Sequence, residues 1–232
     1  EGTLYLRKKR IISPHTLILG APTNNNFLIE ERGVFWSSVL ITGRTSHAGE
    51  PDKGSNSIIK ASKLINALNL KYKKKIMSKN LGIHKSTISI GIIRGGENIN
   101  VVPYKTEILI DRRITNNENI KSSFIDLKKF ILNIIPNAQV KFLTGTNPFK
   151  SNPKNIYLNS LKDSFKLIKR KNPKYLSSIG VSDGRYFADD KVNIINVGPG
   201  TGDEGHKSNE KLLNSDLADY YLILMNFLKK LK

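Results

Sequence analysis

Along this chain the apolar residues switch repeatedly between the two-residue period of a strand and the 3.6-residue period of a helix. Val34 to Gly43 reads as a strand. Ile58, Ala61, Leu64, Ile65 and Leu68 then fall on one face of a helix. Thr87 to Ile93 and Thr106 to Asp111 predict two more strands, separated by Gly95-Gly96 and Pro103. A second helix carries Ile120, Phe124, Leu127, Ile131 and Ile134 on one side, and Ala138 to Leu143 reads as a last strand before Gly145. The order β-α-β-β-α-β can close as a four-stranded antiparallel sheet with both helices on one face, the ferredoxin-like arrangement.

The flanks have another texture. Residues 1–33 read as irregular, with a basic amphipathic patch around Arg7 to Arg10. The exception is the run Thr16-Leu17-Ile18-Leu19, a buried strand that stops at Gly20-Ala21-Pro22-Thr23. After Asn147-Pro148 comes a helix with Leu158, Leu161, Phe165 and Ile168 in register. A short strand near Leu176 to Ser178, the loop Gly180 to Arg185 and a strand Val192 to Val197 follow. The last helix is expected to start with Asn214 or Ser215 as N-cap and to bury a stripe of Leu217, Tyr221, Leu224, Leu228 and Leu231. The chain is therefore α/β. A small domain, 35–148, is inserted between segments 1–34 and 149–232, which belong to one further α/β domain.

Composition narrows the class. At 232 residues and 38% hydrophobic content the chain is long enough for real cores, and no apolar run approaches the roughly 20 residues of a membrane span. The absence of cysteine excludes disulfides and thiolate chemistry and fits a reducing, cytoplasmic setting. The net charge of +19 invites a nucleic-acid reading. However, the excess lysine is spread among Asn and Ile rather than gathered in a stripe with aromatics, so neither a nucleic-acid nor a membrane partner is expected. The chain opens Glu1-Gly2-Thr3-Leu4 without an initiator methionine, and reads as a piece of something longer or a processed product.

Candidate chemistry sits in the loops. Gly198-Pro199-Gly200-Thr201-Gly202-Asp203-Glu204-Gly205-His206-Lys207-Ser208-Asn209-Glu210 puts an imidazole on a glycine-rich loop after a strand. Such a group is a metal ligand or an acid/base catalyst, or simply a solvated loop histidine. Thr42-Gly43-Arg44-Thr45-Ser46-His47-Ala48-Gly49-Glu50-Pro51, with Gly54-Ser55-Asn56, places another histidine between strand and helix. Gly95-Gly96-Glu97-Asn98-Ile99-Asn100-Val101-Val102-Pro103 is a glycine pair and an Asn-rich turn. Asp111-Arg112-Arg113 is expected at a strand end, and Gly180-Val181-Ser182-Asp183-Gly184-Arg185 in a loop. Each alone is ordinary turn chemistry.

Together and in this order, these segments resemble the metal-dependent N-acyl amino acid hydrolases and aminopeptidases that include acetylornithine deacetylase and succinyl-diaminopimelate desuccinylase. Gly43, His47, Pro51, Gly54 and Asn56 resemble the start of that family's lid, or dimerisation, domain. Gly95-Gly96 with Asn100-Val101-Val102-Pro103 resembles its central hairpin. Ser182 to Arg185 and Gly198 to Glu210 resemble the later part of its zinc-peptidase-like catalytic domain. The resemblance implies an enzyme that holds two divalent ions, zinc or cobalt, and cleaves the amide of an N-acyl amino acid with a metal-activated water. It implies that His206 is a metal ligand. It implies that His47 is catalytic, steadying the oxyanion in the partner of a homodimer joined through the lid. Asn100, Arg113, Ser182 and Arg185 are implied to bind substrate.

Two departures qualify what the resemblance implies. The family's remaining ligands, a His-x-Asp pair, a bridging Asp and a Glu-Glu pair, are absent. Where the family has Gly-Glu-Pro-Thr, with the glutamate a ligand, this chain has Gly20-Ala21-Pro22-Thr23. Ala21 cannot coordinate a metal, so the chain as it stands is expected to be inactive. Which N-acyl amino acid is involved is not readable from these residues.

Overall fold

In a computed structural model, the structure describes residues 2–78, 85–178, 180–190, 192–204 and 207–231. Along the chain the elements are α1 (Gly2–Lys8), β1 (Thr16–Leu19), β2 (Phe27–Glu31), β3 (Gly33–Thr42), α2 (Ser57–Ala67), α3 (Lys73–Ser78), β4 (Thr87–Gly95) and β5 (Lys105–Ile114). They continue with α4 (Ile120–Ile134), β6 (Gln139–Thr146), β7 (Phe149–Lys150), α5 (Ile156–Lys169), β8 (Tyr175–Ser178), β9 (Asn193–Asn196) and α6 (Asn214–Lys229). The chain divides into two compact units, Gly33–Pro148 and the pair of segments Glu1–Arg32 with Phe149–Lys232.

The central unit has the β-α-β-β-α-β order and an antiparallel sheet arranged β4-β5-β3-β6. Alternation along β5 sends Thr106, Ile108, Ile110, Arg112 and Ile114 to the buried side. There the isoleucines meet Ala61, Leu64 and Leu68 of the first helical segment and Leu127 and Ile131 of α4 in one core. Asn56 caps α2, accepting from the N–H groups of Ile58 and Ile59, and Asn119 caps α4 by accepting from Lys121. Between α2 and α3 the helix widens into a π-helical turn, Leu68–Tyr72.

The two-segment unit is built on a mixed sheet. β1 runs parallel to β9 and β2 parallel to β8, while β2 is antiparallel to β7 and meets β9 at Leu28 and Asn196. Phe27, Ile29, Ile195 and Val197 pack with Leu158, Leu161 and Phe165 of α5 and Ile223 and Phe227 of α6. A second cluster, Phe149, Phe187 and Ile194, collects Leu17 and Leu19. Residues 1–33, expected to be largely irregular, contain α1 and β2 in addition to β1. In α6 the apolar stripe is rotated from the expected one. Ile223 and Phe227 are buried, with Tyr220 and Leu224 beside them, whereas Leu217, Tyr221, Leu228 and Leu231 are exposed. The helix is apolar around most of its circumference, so periodicity alone selects no single buried face. Its N-cap position is Leu213, without a side-chain cap, rather than Asn214 or Ser215. Among the described residues no helix is long and apolar enough to cross a membrane.

Candidate functional site

The histidine loop of the central unit is joined to the β4–β5 connection by backbone. Gly43, just past β3, donates its N–H to Tyr104 O at 2.6 Å, and Arg44 and Ser55 exchange two hydrogen bonds at 2.8 and 2.9 Å. Gly43 is required by close approach: a Cβ there would lie 1.8 Å from Ser55 O. Ala48 N–H donates to Asn100 O at 2.9 Å, Val102 N–H donates to Ser46 O at 2.9 Å, and His47 forms an antiparallel bridge with Val101. The structure thus brings His47 and Asn100 together, both exposed. Gly49 N–H donates to His47 Nδ1 at 3.1 Å. That contact assigns the acceptor role to Nδ1 and, in the neutral imidazole, the proton to Nε2. Alongside lies a cleft of ≈ 650 Å³ whose wall includes Thr45, Gly96, Asn98, Val101 and Tyr104.

Arg113 stands apart from this pair. It lies next to the last residue of β5, at the strand end where it was expected, eight positions beyond Lys105, or about 27 Å of extended chain at ~3.4 Å per residue. Its guanidinium is also engaged: Nε donates to Asp111 Oδ1 at 2.8 Å and Nη2 to Asp111 Oδ2 at 3.0 Å. Trp36 Nε1 donates to the same carboxylate at 2.8 Å.

In the two-segment unit, Ser182 is the N-cap of a 3₁₀ turn, Asp183–Phe187, its Oγ accepting from Gly184 N–H at 3.1 Å. Arg185 lies in that turn, with Nη2 donating to Tyr186 Oη at 2.8 Å and its guanidinium 4.8 Å from the Tyr186 ring centroid. The turn is tied to the sheet by Glu31, a residue that sequence reasoning missed. Glu31 Oε2 accepts Ser182 N–H at 2.8 Å and Oε1 accepts Asn196 Nδ2 at 3.0 Å. Burial pushes the Glu31 carboxyl above its ordinary value, and the bonds from Ser182 and Asn196 and the charge of Arg185 pull it partly back. The available signal was its place on the buried side of β2, in alternation with Phe27 and Ile29.

The parallel strands β1 and β9 end side by side, the position where open α/β sheets offer their ligand crevice. Thr23 and Asn25 donate their N–H groups to Gly198 O, and a Cβ on Gly198 would meet Ala21 O at 2.5 Å. His206 lies outside the described residues. Among the described residues no group of three or more His, Asp or Glu side chains could hold a metal ion, and Ala21 offers no donor at this strand end. The described residues do not make up a two-metal centre.

Residues 29–139 match the family model described as the M20 peptidase dimerisation domain. Succinyl-diaminopimelate desuccinylase of Helicobacter hepaticus is 28% identical across 96% of this chain and 57% of its own length. The enzyme of the same name from Wigglesworthia glossinidia brevipalpis is 27% identical across 99% of this chain and 61% of its own. The chain contains a segment that matches the M20 peptidase dimerisation domain and is similar to M20 peptidases across nearly its whole length. Solved structures carry the same fold. Aminopeptidase PepT of Bacillus cereus superposes with a TM-score of 0.77 at 22% identity, covering 98% of this chain and 61% of that one. An M20 metallo-carboxypeptidase of Sulfolobus solfataricus gives 0.75 at 14%, covering 99% and 66%. The chain spans less than two thirds of the length of either desuccinylase.

Proposed function

We propose that this chain is part of an M20-type hydrolase that cleaves the amide bond of an N-acyl amino acid, of the acetylornithine deacetylase or succinyl-diaminopimelate desuccinylase kind. The observation that carries this reading is the match to named desuccinylases over 96% and 99% of the chain. In this reading the central unit pairs two copies, and His47 of one copy steadies the oxyanion in its partner's site. Asn100 holds a polar group of the substrate, and Arg113, Ser182 and Arg185 hold its charged ends, Arg113 after exchanging Asp111 for a substrate carboxylate. The 232 residues alone do not turn over substrate, because Ala21 replaces a ligand. That replacement also favours a second reading, a non-catalytic dimerising or amino-acid-binding remnant of the family.

The test is hydrolysis of N-succinyl-L,L-diaminopimelate and N-acetylornithine, with zinc or cobalt supplied, alongside sedimentation. A dimer without turnover is expected from the chain, and turnover by the unaltered chain would overturn the inactivity. The mass of the product in its source cells separates the two readings. A species well above 26.0 kDa supports the enzyme, and one at 26.0 kDa the remnant.

A further inference from the structure

The basic stretch Arg7 to Arg10 has no part in the hydrolase reading, yet its first residue lies against the turn that carries Ser182 and Arg185. In the seven-residue helix α1, Thr3, Leu4 and Arg7 are half-buried and the rest are exposed. Thr3 and Arg7 stand one helical turn apart on the same face. Thr3 Oγ1 donates to Asp183 Oδ2 at 2.6 Å. Arg7 donates from Nε and Nη2 to the two oxygens of Asp190 at 3.1 and 2.9 Å, and its guanidinium lies 5.8 Å from the Phe187 ring centroid. Asp183 opens the 3₁₀ turn, Phe187 closes it, and Asp190 N–H donates to Phe187 O at 3.0 Å. Two side chains of α1 thus grip both ends of a five-residue turn that has Arg185 at its centre.

We propose that α1 is a positioning clasp: by holding Asp183 and Asp190, Thr3 and Arg7 fix the turn that presents Arg185 to a ligand carboxylate. The proposal rests on the reading of Arg185 as a substrate-binding residue. A helix this short has little stability of its own in water, and α1 has no fully buried residue, so its contacts with the turn are what keep it in place. The turn in turn needs an outer support. On the sheet side it is tied through Ser182 N–H to Glu31, whereas Asp183 is exposed. Charge acts in the same direction. Arg7 neutralises Asp190 with two parallel hydrogen bonds, and so removes a negative charge that would repel an anion near Arg185 and withholds that acid from the guanidinium. Exposed pairs of this kind are individually weak, which makes the clasp reversible.

The test compares the parent chain with a Thr3→Val/Arg7→Met double variant, by amide hydrogen exchange and by titration with succinate. Gly184 and Arg185 N–H groups are bonded to Ser182 within the turn, and their exchange should quicken about two- to fivefold, the range set by two exposed contacts. Exchange at Ile194 of β9 and the melting point should hold. Succinate should bind the variant about two- to fivefold more weakly, a loss that a role confined to stability would not produce. Unchanged exchange in the turn would overturn the clasp. Succinate binding that is lost in Arg185→Met but kept in the double variant would overturn the positioning role. Succinate binding that is kept in Arg185→Met would instead fail the substrate-binding reading of Arg185, and the exchange rates would still decide whether α1 holds the turn.

Discussion

Asn196 and Glu31 meet inside the mixed sheet, the amide Nδ2 of one donating to Oε1 of the other at 3.0 Å. Both are nearly inaccessible, at 1% and 3% exposure. A carboxylate in that position loses water from both oxygens and regains one hydrogen bond on each, the second from Ser182 N–H. Glu31 therefore anchors the turn that carries Ser182 and Arg185, and it does so as a group whose proton is held more tightly in the folded protein than in the unfolded chain.

A pH dependence follows. The Glu31 carboxyl is raised above 4.5 by burial, so between 4.5 and its higher folded value the folded state binds the extra proton. The protonated group's contribution to stability is full below pH 4.5 and is lost as pH rises through the folded value, with a slope of at most about 1.4 kcal/mol per pH unit. In urea unfolding from pH 4 to 8, stability relative to Glu31→Gln should fall as pH rises across that window. A difference that stays flat would show that Glu31 does not titrate in the folded state. Glu31→Ala should cost about 1–3 kcal/mol at pH 4.5, where the contribution of Glu31 is full, since Ser182 N–H and Asn196 Nδ2 lose their acceptor.

The Arg112–Glu118 pair of the central unit predicts an asymmetry between its partners. Glu118→Ala leaves a guanidinium at 1% exposure without its counter-charge, and should destabilise by about 3–5 kcal/mol. Arg112→Met fills the same row of β5 with an apolar chain and removes the need for the carboxylate, so its cost should be clearly smaller. Thermal melts of both variants decide this. Equal losses would mean that the bonds from Arg112 to the carbonyl oxygens of Thr87 and Arg113 matter as much as its pairing with Glu118.

These relationships differ in how far they could be read in advance. The β-α-β-β-α-β order was legible because each segment buries one face only, so its period survives in the sequence. Ile108 and Ile110 alternate on a strand, and Leu127 and Ile131 recur on a helix. The strand β2 was not legible: it is five residues long, follows Asn24-Asn25-Asn26, and puts a carboxylate on its buried side. The pairing of His47 with Asn100 rests on adjacent loops that close onto each other. The hydrogen bond between Glu31 and Ser182 joins positions 151 apart, and no local pattern announces it. Asp111-Arg112-Arg113 was expected at a strand end, and β5 ends one residue later, at Ile114.

Asp111 holds Arg113 by two hydrogen bonds and also accepts from Trp36, the single tryptophan of the chain. Asp111→Ala should release both. The indole is 51% exposed, and losing its acceptor should change its emission, which reports the cluster without an assay of activity. The freed guanidinium should bind a small carboxylate such as acetate more tightly than in the parent chain, because it no longer has to displace an internal one. Unchanged emission would show that the Trp36–Asp111 bond is not kept in solution. Unchanged acetate affinity would argue against Arg113 as a carboxylate-binding residue.

The last prediction concerns the loop that presents His47. At Gly43 the backbone passes so close to Ser55 that a Cβ would fall 1.8 Å from the carbonyl oxygen, and the obstacle is main chain rather than a side chain that could swing away. Gly43→Ala must therefore push apart the two strands of the Arg44–Ser55 bridge, at a cost of about 1–3 kcal/mol. The damage should stay local, because the helix-packed core of the central unit does not reach this loop. Hydrogen exchange should show faster exchange at Arg44, Ala48, Ser55 and Val102, whose N–H groups are bonded within this cluster, and little change at Ile108 or Ile110 of β5. Uniform loss of protection across β5 would mean that the loop and the sheet unfold together, and that the histidine is presented by the fold as a whole rather than by this close contact.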